Sequence, residues 1–382
     1  VGVEALASIG AADWPNWMVL GIVTGFAQGF CILVSQNFGA GDYDGMRKSI
    51  SHTFGLGFAL AILITALAHL IAHPLLLFLN TPDDVIDGSL LYLRITFSGI
   101  IVIMAYNLFS SVLRALGDSK SPLYAMIIAA LLNTGLDILF VWAFHWGIAG
   151  AAIATVLSRY IETAIIVVYT HTRKEYFPFI HGAYRSLRVP SPLMSGILRR
   201  GTPLLVNEFL WSSGMAVLLQ CYSVRGLDVV AACNIATTVS NLFKVVFLSM
   251  GNAVAIMVGQ ALGANDIERA KNCTWRLMTA AVGSNLFMSI LLILFAPSIP
   301  HIYNTEPHVR QIATQLLYVI AMMMPAYSFS HCCYFTLRSG GKTIITFLFD
   351  SVFTWCVNVP TAWLLAYRTG MGIVPLYFCA FS

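Results

Sequence analysis

The stretch HTRKEYFPFIHGAYRSLRVPSPLMSGILRR, residues 171–200, divides this chain of 382 residues into two apolar halves. It carries six lysine and arginine residues and three prolines. A segment this basic does not lie in hydrocarbon, and the cytoplasmic loops of membrane proteins carry an excess of Lys and Arg. We therefore predict that residues 173–200 form a cytoplasmic connector between two membrane-embedded lobes, at 1–172 and 201–382.

The composition supports a membrane environment for both halves. Hydrophobic residues make up 58% of the chain and charged residues 10%, and the mean hydropathy is +0.79. Soluble proteins contain about 25% charged residues, so this chain lacks the polar surface to cover a water-soluble body. Its net charge of +4 lies in short loops, which indicates a lipid bilayer as partner and no nucleic acid.

Apolar runs long enough to cross a bilayer recur along the whole sequence. About 20 apolar residues are needed for one helical crossing, and repeated runs of this length favour helices over a barrel. The chain is thus predicted to be an all-α integral membrane protein with eleven visible helices. We place them at 4–38, 45–79, 86–113, 121–145, 147–170, 202–224, 228–262, 269–301, 309–336, 343–367 and 371–382.

The two halves repeat each other. The segment Gln36–Asp42, QNFGAGD, returns 224 residues later as Gln260–Asp266, QALGAND. The same offset relates Asn80-Thr81 to Asn304-Thr305, Leu113-Arg114 to Leu337-Arg338, and Gly117 to Gly341. Internal symmetry of this kind is typical of transporters.

The offset also predicts the size of the repeated unit. The helices at 147–170 and 202–224 lack full partners at this offset, so we expect a protein of twelve helices, six in each lobe. On this interpretation residues 1–172 hold helices 2 to 6, and residues 201–382 hold helices 7 to 12, with the last one incomplete.

Loop charge predicts the orientation. Five alternate connections hold fourteen of the 21 Lys and Arg residues, so these connections are expected on the cytoplasmic side. An even number of helices per copy then makes the repeat parallel, with a pseudo-twofold axis along the membrane normal. A cleft between the lobes is the expected place for a substrate.

A few charged residues fall inside the apolar spans, where each costs about 2.5–3.5 kcal/mol. Asn133 and Asp137 are four residues apart and share one helical face, and Thr155 lies on the next helix. An amide, a carboxylate and a hydroxyl suit a proton or a hard cation such as Na⁺. A polar clamp that joins two helices is the equal alternative.

Two further acidic residues are candidates for ion coupling or substrate binding. Glu208 follows Pro203, and a carboxyl group shielded from water binds protons more readily; Na⁺ is a second candidate ligand there. An ion pair with Lys244 or Arg276 is the structural alternative. Asp350 lies two turns into its helix and is weighed equally as a helix cap or bridge.

The remaining polar and aromatic candidates are assigned mainly to packing. Arg159 and Glu162, three residues apart, are expected to neutralise each other. Asp13, Trp211 and Met250 are candidates for lining the cleft, since aromatic rings and flexible Met side chains suit hydrophobic organic cations.

Enzyme chemistry is not indicated. The sequence contains no Walker A motif, no H-E-x-x-H and no G-x-S-x-G. Its eight cysteines form no CxxC pair, so we expect free thiols, no metal site and no cofactor. An ion gradient is then the expected energy source.

Several of these motifs together resemble the multidrug and toxic compound extrusion (MATE) transporters, within the wider multidrug/oligosaccharide-lipid/polysaccharide flippase superfamily. The motifs are VSQNFGAGD at 34–42, LRALGDSK at 113–120, Asn133-x3-Asp137, GIAGAAIAT at 147–155 and VGQALGA at 258–264. The resemblance covers nearly the whole chain in order and identifies a prokaryotic type of member.

The resemblance implies two six-helix lobes that alternate between inward and outward access, driven by H⁺ or Na⁺. In related prokaryotic members an Asp of the first helix joins an Asn, an Asp and a Thr around a cation. The last three match Asn133, Asp137 and Thr155, while the first-helix Asp would precede Val1. Some members also place acidic residues in the second lobe, where Glu208 and, less directly, Asp350 fall.

The expected function is therefore multidrug efflux of small organic cations by a monomer in the inner (plasma) membrane, with the coupling ion in place of a cofactor. A lipid-linked oligosaccharide or polysaccharide flippase is the alternative and would require Arg and Lys in the cleft. A membrane receptor or scaffold would not need carboxylates inside the spans.

Overall fold

Helices account for almost all of the structure. The computed structural model describes residues 3–79, 81–173, 177, 191–303 and 305–381. The first half contains α1 (Val3–Gly39), α2 (Tyr43–Phe78), α3 (Asp83–Ser98), α4 (Ile100–Ala115), α5 (Lys120–Asp137) with a π-helical extension (Ile138–Ala143), and α6 (Gly147–Thr172). Most of the predicted connector, at 174–176 and 178–190, lies outside the described residues.

The second half continues the same pattern. It contains α7 (Ser191–Ser223), α8 (Leu227–Gly263), α9 (Ile267–Phe295), a 3₁₀ turn (Ile299–Ile302) and α10 (Pro307–Ser339). It ends with α11 (Thr343–Phe347), two π-helical turns (Leu348–Val352 and Thr354–Asn358), α12 (Val359–Arg368) and α13 (Ile373–Phe381).

The lengths of these helices confirm an all-α membrane protein. Among the described residues, nine helices are long and apolar enough to cross a membrane, and the bent pair α3–α4 makes a tenth. With the nine-residue α13, the helical segments correspond to the eleven predicted spans. Large apolar side chains cover much of the outer surface; the side chains of Leu70 and Phe349 are 74% and 75% exposed.

The predicted repeat is visible in the helix ends. Helices α1 and α8 have 37 residues each and begin at Val3 and Leu227, which are 224 residues apart. The bent pair α3–α4 and the unbroken α10 also span equivalent residues. Asp42 caps α2 by accepting from the Gly45 N–H at 2.8 Å, and Asp266 caps α9 by accepting from the Arg269 N–H at 2.9 Å. One local turn is therefore built twice.

The structure differs from the predicted spans in two places. The span predicted at 86–113 is bent by 46° where α3 meets α4, around Gly99. A Cβ atom on Gly99 would lie 3.3 Å from both methyl groups of Val156, so glycine lets α6 approach the bend closely. Helix α7 begins at Ser191, eleven residues before the predicted start of that span.

The chain separates into two compact units, residues 1–209 and 210–382. The core of the first unit is built from buried apolar residues of α1 to α6, such as Phe26, Leu93 and Leu113. The second unit has two clusters, one around Leu316 and another around Val258. The predicted lobe boundaries at 172 and 201 remain a prediction.

The repeated turns require glycine at Gly117 and Gly341, which have φ angles of 94° and 75°. Residues with a Cβ atom lose about 1–2 kcal/mol in such left-handed conformations. We expect Gly117→Ala and Gly341→Ala each to lower the thermal unfolding midpoint of the purified protein in detergent. Gly283→Ala is the matched control, because a methyl group added there, inside α9, would meet no described atom within 4 Å and alanine favours helices. An equal loss in all three variants would contradict the turn-specific explanation.

Candidate functional site

Two polar side chains lie one turn apart where α5 ends. Asn133 and Asp137 occupy successive turns on one face of α5, and a π-helical segment follows immediately. The Asn133 Nδ2 and Asp137 Oδ1 atoms are shielded from solvent and have no hydrogen-bond partner in the described part of the chain. Buried polar groups are almost always hydrogen-bonded, so these two atoms are candidates for binding an ion or another ligand. Wide π turns of this kind often occur at functional sites.

Hydrogen bonds and close contacts join α1, α3 and α6 near the start of each helix. The Ser8 hydroxyl donates to the Val85 carbonyl at 3.2 Å, and the Ser89 hydroxyl donates to the Ser8 carbonyl at 2.8 Å. A Cβ atom on Gly88 would touch both Ser8 and Ile148. These three helices therefore meet at one level near their first turns.

One or two turns further along these helices lie three polar side chains. Asp13, Tyr92 and Thr155 follow the Ser8, Gly88 and Ile148 contacts by four to seven residues, which is about 6–10 Å of helix. The side chains of Tyr92 and Thr155 interact, and Tyr92 lies within electrostatic range of Asp13 and Asp137. The Thr155 hydroxyl also donates to the Ala151 carbonyl at 3.0 Å.

We refer to these five residues, Asp13, Tyr92, Asn133, Asp137 and Thr155, as the Asp137 cluster. Its groups are carboxylates, an amide and hydroxyls, which are ligands suited to a proton or to a hard cation. Among the described residues, no group of three His, Cys, Asp or Glu side chains is placed to hold a metal ion.

Sequence reasoning placed Asp13 at the cleft or interface and did not select Tyr92. Comparison of the two copies of the repeat distinguishes both residues. At the offset of 224, Asp13 corresponds to Thr237, Tyr92 to Leu316 and Asp137 to Thr361. Both carboxylates are replaced by threonine and the tyrosine by leucine in the second copy. The shared architecture therefore does not require these side chains, which makes them candidates for a special role.

Glu208 lies elsewhere in the first unit. A Cβ atom on Gly25 of α1 would be 2.6 Å from the Glu208 Cγ atom and 3.4 Å from the Leu204 carbonyl. The absence of a side chain at Gly25 thus lets α7 pack closely on α1, as small residues do between membrane helices. Gly25 is twelve residues from Asp13, about 18 Å along α1, so Glu208 does not join the Asp137 cluster.

Asp350 belongs to the second unit. It lies in the first π-helical turn after α11 and is partly buried. Its side chain lies within electrostatic range of Tyr327 of α10, and its backbone carbonyl accepts from the Thr354 hydroxyl at 2.8 Å. The neighbouring Trp355 donates from Nε1 to the Leu210 carbonyl at 2.8 Å and so ties α7 to this segment.

The aromatic and methionine candidates are also in the second unit. The Trp211 side chain, next to Leu210, is 39% exposed. Met250 is partly buried and packs against the core cluster that contains Val258. Whether either residue contacts a substrate remains a prediction.

The expected pair between Arg159 and Glu162 is confirmed. The Arg159 Nη1 atom donates to Glu162 Oε2 at 2.7 Å. The Glu162 side chain is fully buried, and its second oxygen, Oε1, has no hydrogen-bond partner among the residues that the structure describes.

Comparisons with known proteins agree with this architecture. A family model described as MatE matches residues 1–139 and 203–364. The chain is 26% identical to the probable multidrug resistance protein YoeA of Bacillus subtilis strain 168, over 99% of this chain and 82% of YoeA. It is 28% identical to the probable multidrug resistance protein YpnP of the same strain, over 98% of this chain and 84% of YpnP.

A solved structure shows the same fold. An outward-facing multidrug resistance MATE family transporter of the MOP superfamily matches with a TM-score of 0.90, at 21% identity, over 100% of this chain and 84% of that protein. The family match covers well over half of the chain, and the helix pattern agrees with it. The chain therefore belongs to the MatE family of multi-pass membrane transporters.

Proposed function

We propose that this protein exports cationic amphipathic compounds across the inner (plasma) membrane in exchange for H⁺ or Na⁺. The observation that carries the proposal is the pair of buried atoms in the Asp137 cluster, Asn133 Nδ2 and Asp137 Oδ1, which lack a partner among the described residues. A carboxylate inside a membrane span is costly unless it pairs with a cation or binds a proton. The Asp137 cluster is therefore the proposed coupling site.

Ion binding at this cluster changes which arrangement of the helices is stable. An ionised Asp137 requires hydrogen-bond donors or water, whereas a protonated or Na⁺-bound Asp137 tolerates a tighter, drier packing. A ligand shifts a conformational equilibrium only through different affinities for the two states. The unpaired oxygen of Asp137 provides such a difference, because its need for a partner changes when the ion leaves.

The coupling site is proposed for the first unit alone. In the second copy, Asn133 and Asp137 correspond to Val357 and Thr361, and Tyr92 corresponds to Leu316. This copy has no equivalent carboxylate at those positions of the sequence. Its partly buried Asp350, together with Trp211 and Met250, is proposed to serve the organic cation, with Glu208 as an additional proton or Na⁺ acceptor at the α1–α7 contact.

The substrate class is supported by charge and by the relatives. The carboxylates inside the spans favour cationic compounds over anionic ones, and both named B. subtilis relatives are described as probable multidrug resistance proteins. The basic connector at 173–200 is proposed to face the cytoplasm. A lipid-linked precursor flippase is the competing function and would show lipid translocation without dye transport.

Replacement of Asp137 by Asn tests the coupling role directly. We expect Asp137→Asn to lower ion-driven uptake of a fluorescent organic cation into proteoliposomes by about tenfold or more, because the amide cannot exchange a proton or neutralise Na⁺. H⁺ and Na⁺ gradients are applied separately, so that the coupling ion is identified in the same assay.

The matched control is Asp84→Asn, since Asp84 is exposed in the first turn of α3. This variant is expected to retain wild-type uptake. Wild-type transport by Asp137→Asn would remove Asp137 from the mechanism. Lipid translocation by the unmodified protein, with no dye uptake under either gradient, would favour the flippase instead.

Tyr92 is expected to tune the same site through its hydroxyl group. Tyr92→Phe removes one polar contact with Thr155, and we expect ion-driven uptake to fall by about two- to tenfold. Tyr124→Phe is the control, because the Tyr124 side chain is 61% exposed on α5. If the two phenylalanine variants behave alike, Tyr92 does not contribute to coupling.

A further inference from the structure

A second cluster of polar residues lies further along α6, on the same face of that helix as Thr155. Arg159 and Glu162 follow Thr155 by four and seven residues, which places all three on one stripe of the helix. Glu162 lies about 10 Å further along α6 than Thr155. The stripe leads from the Asp137 cluster toward the end of α6 at Thr172, where the connector begins.

Helix α4 supplies the other wall of this cluster. The Tyr106 side chain faces both the Ser110 hydroxyl and the Glu162 carboxylate. Ser110 and Glu162 are fully buried, yet Ser110 Oγ and Glu162 Oε1 have no hydrogen-bond partner within the described ranges. A proton on Oε1 would turn this unpaired acceptor into a donor, with the Tyr106 hydroxyl oxygen close to the Glu162 carboxyl group.

Two arginines supply positive charge in this cluster. Arg159 on the same helix binds Oε2. Its side chain is 42% exposed, so its guanidinium group has room to move. On α4, Arg114 lies within electrostatic range of Tyr106. Beyond α4, the Tyr106 hydroxyl donates to the Pro122 carbonyl at 3.3 Å, and the Tyr169 hydroxyl donates to Asp118 Oδ2 at 3.3 Å.

We propose that Glu162 is a second proton-binding residue, on a route from the Asp137 cluster to the connector side of the membrane. The inference rests on the proposed function and deepens it, because it commits the coupling ion to H⁺. In this route a proton released from the Asp137 carboxyl group is carried by water molecules along the α6 stripe and binds Glu162 Oε1, while Arg159 stays on Oε2. Glu162 then releases the proton toward Tyr106 and the polar groups near Asp118.

The transfer changes the charge at two places. Before it, Asp137 is neutral and Glu162 is paired with Arg159; after it, Asp137 is ionised and Arg159 lies beside a neutral Glu162. The Arg159 side chain is 42% exposed, so solvent can stabilise its charge. An ionised carboxylate at the centre of a span costs about 2.5–3.5 kcal/mol, so Asp137 then favours binding of the next proton. A purely structural ion pair would not need a buried, unpaired Oε1 atom beside the Tyr106 hydroxyl.

The first test compares Glu162→Gln with Glu268→Gln. Glu268 also forms an ion pair with a residue three positions away, Lys271, but its side chain is 80% exposed. In proteoliposomes we expect Glu162→Gln to lower uptake of ethidium driven by a pH gradient by about tenfold or more. Ethidium counterflow at equal pH, which needs no net proton movement, should stay near the wild-type rate, and Glu268→Gln should be unchanged in both assays.

The second test does not depend on transport. Infrared difference spectra of the purified protein between acidic and alkaline buffer should contain a protonated-carboxyl C=O band that is absent in Glu162→Gln and shifted in Ser110→Ala. If the unmodified protein transports no ethidium, the proposed substrate class fails while the band still decides whether Glu162 binds a proton.

Pairs of outcomes separate the two proposals. Proton-driven uptake and an infrared spectrum that are both unchanged in Glu162→Gln would overturn the inference and leave the proposed function intact. Equal losses of driven uptake and counterflow would assign Glu162 to structure alone. Should Glu162→Gln not fold, Ser110→Ala and Tyr106→Phe serve in its place, and an unshifted carboxyl band in both variants would contradict the proposal.

Discussion

A membrane interior offers no water to a buried carboxylate, and this constraint shapes the first unit. Every ionisable group inside the spans must find a cation, a proton or hydrogen-bond donors within the protein. Glu162 meets the constraint with Arg159 at 2.7 Å on one of its two oxygens. Asp137 Oδ1 and Glu162 Oε1 are both buried without a hydrogen-bond partner among the described residues. The difference is that Glu162 has an arginine on its other oxygen, whereas no described Lys or Arg forms a salt bridge with Asp137.

The helices make this arrangement possible by approaching one another closely. Small residues at the contact points, such as Gly88 between Ser8 and Ile148 and Gly25 against Glu208, bring backbones together that larger side chains would separate. Asp13, Tyr92 and Thr155 follow the Ser8, Gly88 and Ile148 contact by one or two turns. Close packing at this contact thus fixes how far along their helices these three polar side chains lie.

The two copies of the repeat share a scaffold but not a chemistry. Helices α1 and α8 begin and end at an offset of 224 residues, and α2 and α9 begin at the same offset after the paired caps Asp42 and Asp266. The polar residues at the depth of Asp137 are replaced by Leu316, Val357 and Thr361 in the second copy. A duplicated bundle can therefore keep its packing while the polar side chains of one copy change, because the packing depends on small and apolar residues.

The sequence by itself determined the membrane environment, the helical class, the repeat and the family. These follow from local composition and spacing, because an apolar run of about 20 residues is long enough to cross a bilayer as a helix. Asn133, Asp137 and Thr155 were also found this way, because a four-residue spacing and a family motif mark them. Only the tertiary structure placed Tyr92 and Asp13 beside them, separated Glu208 from them and bent the span at Gly99 toward Val156. Those relations depend on which faces of different helices meet, and side-chain contacts between helices far apart in sequence leave no local pattern to read.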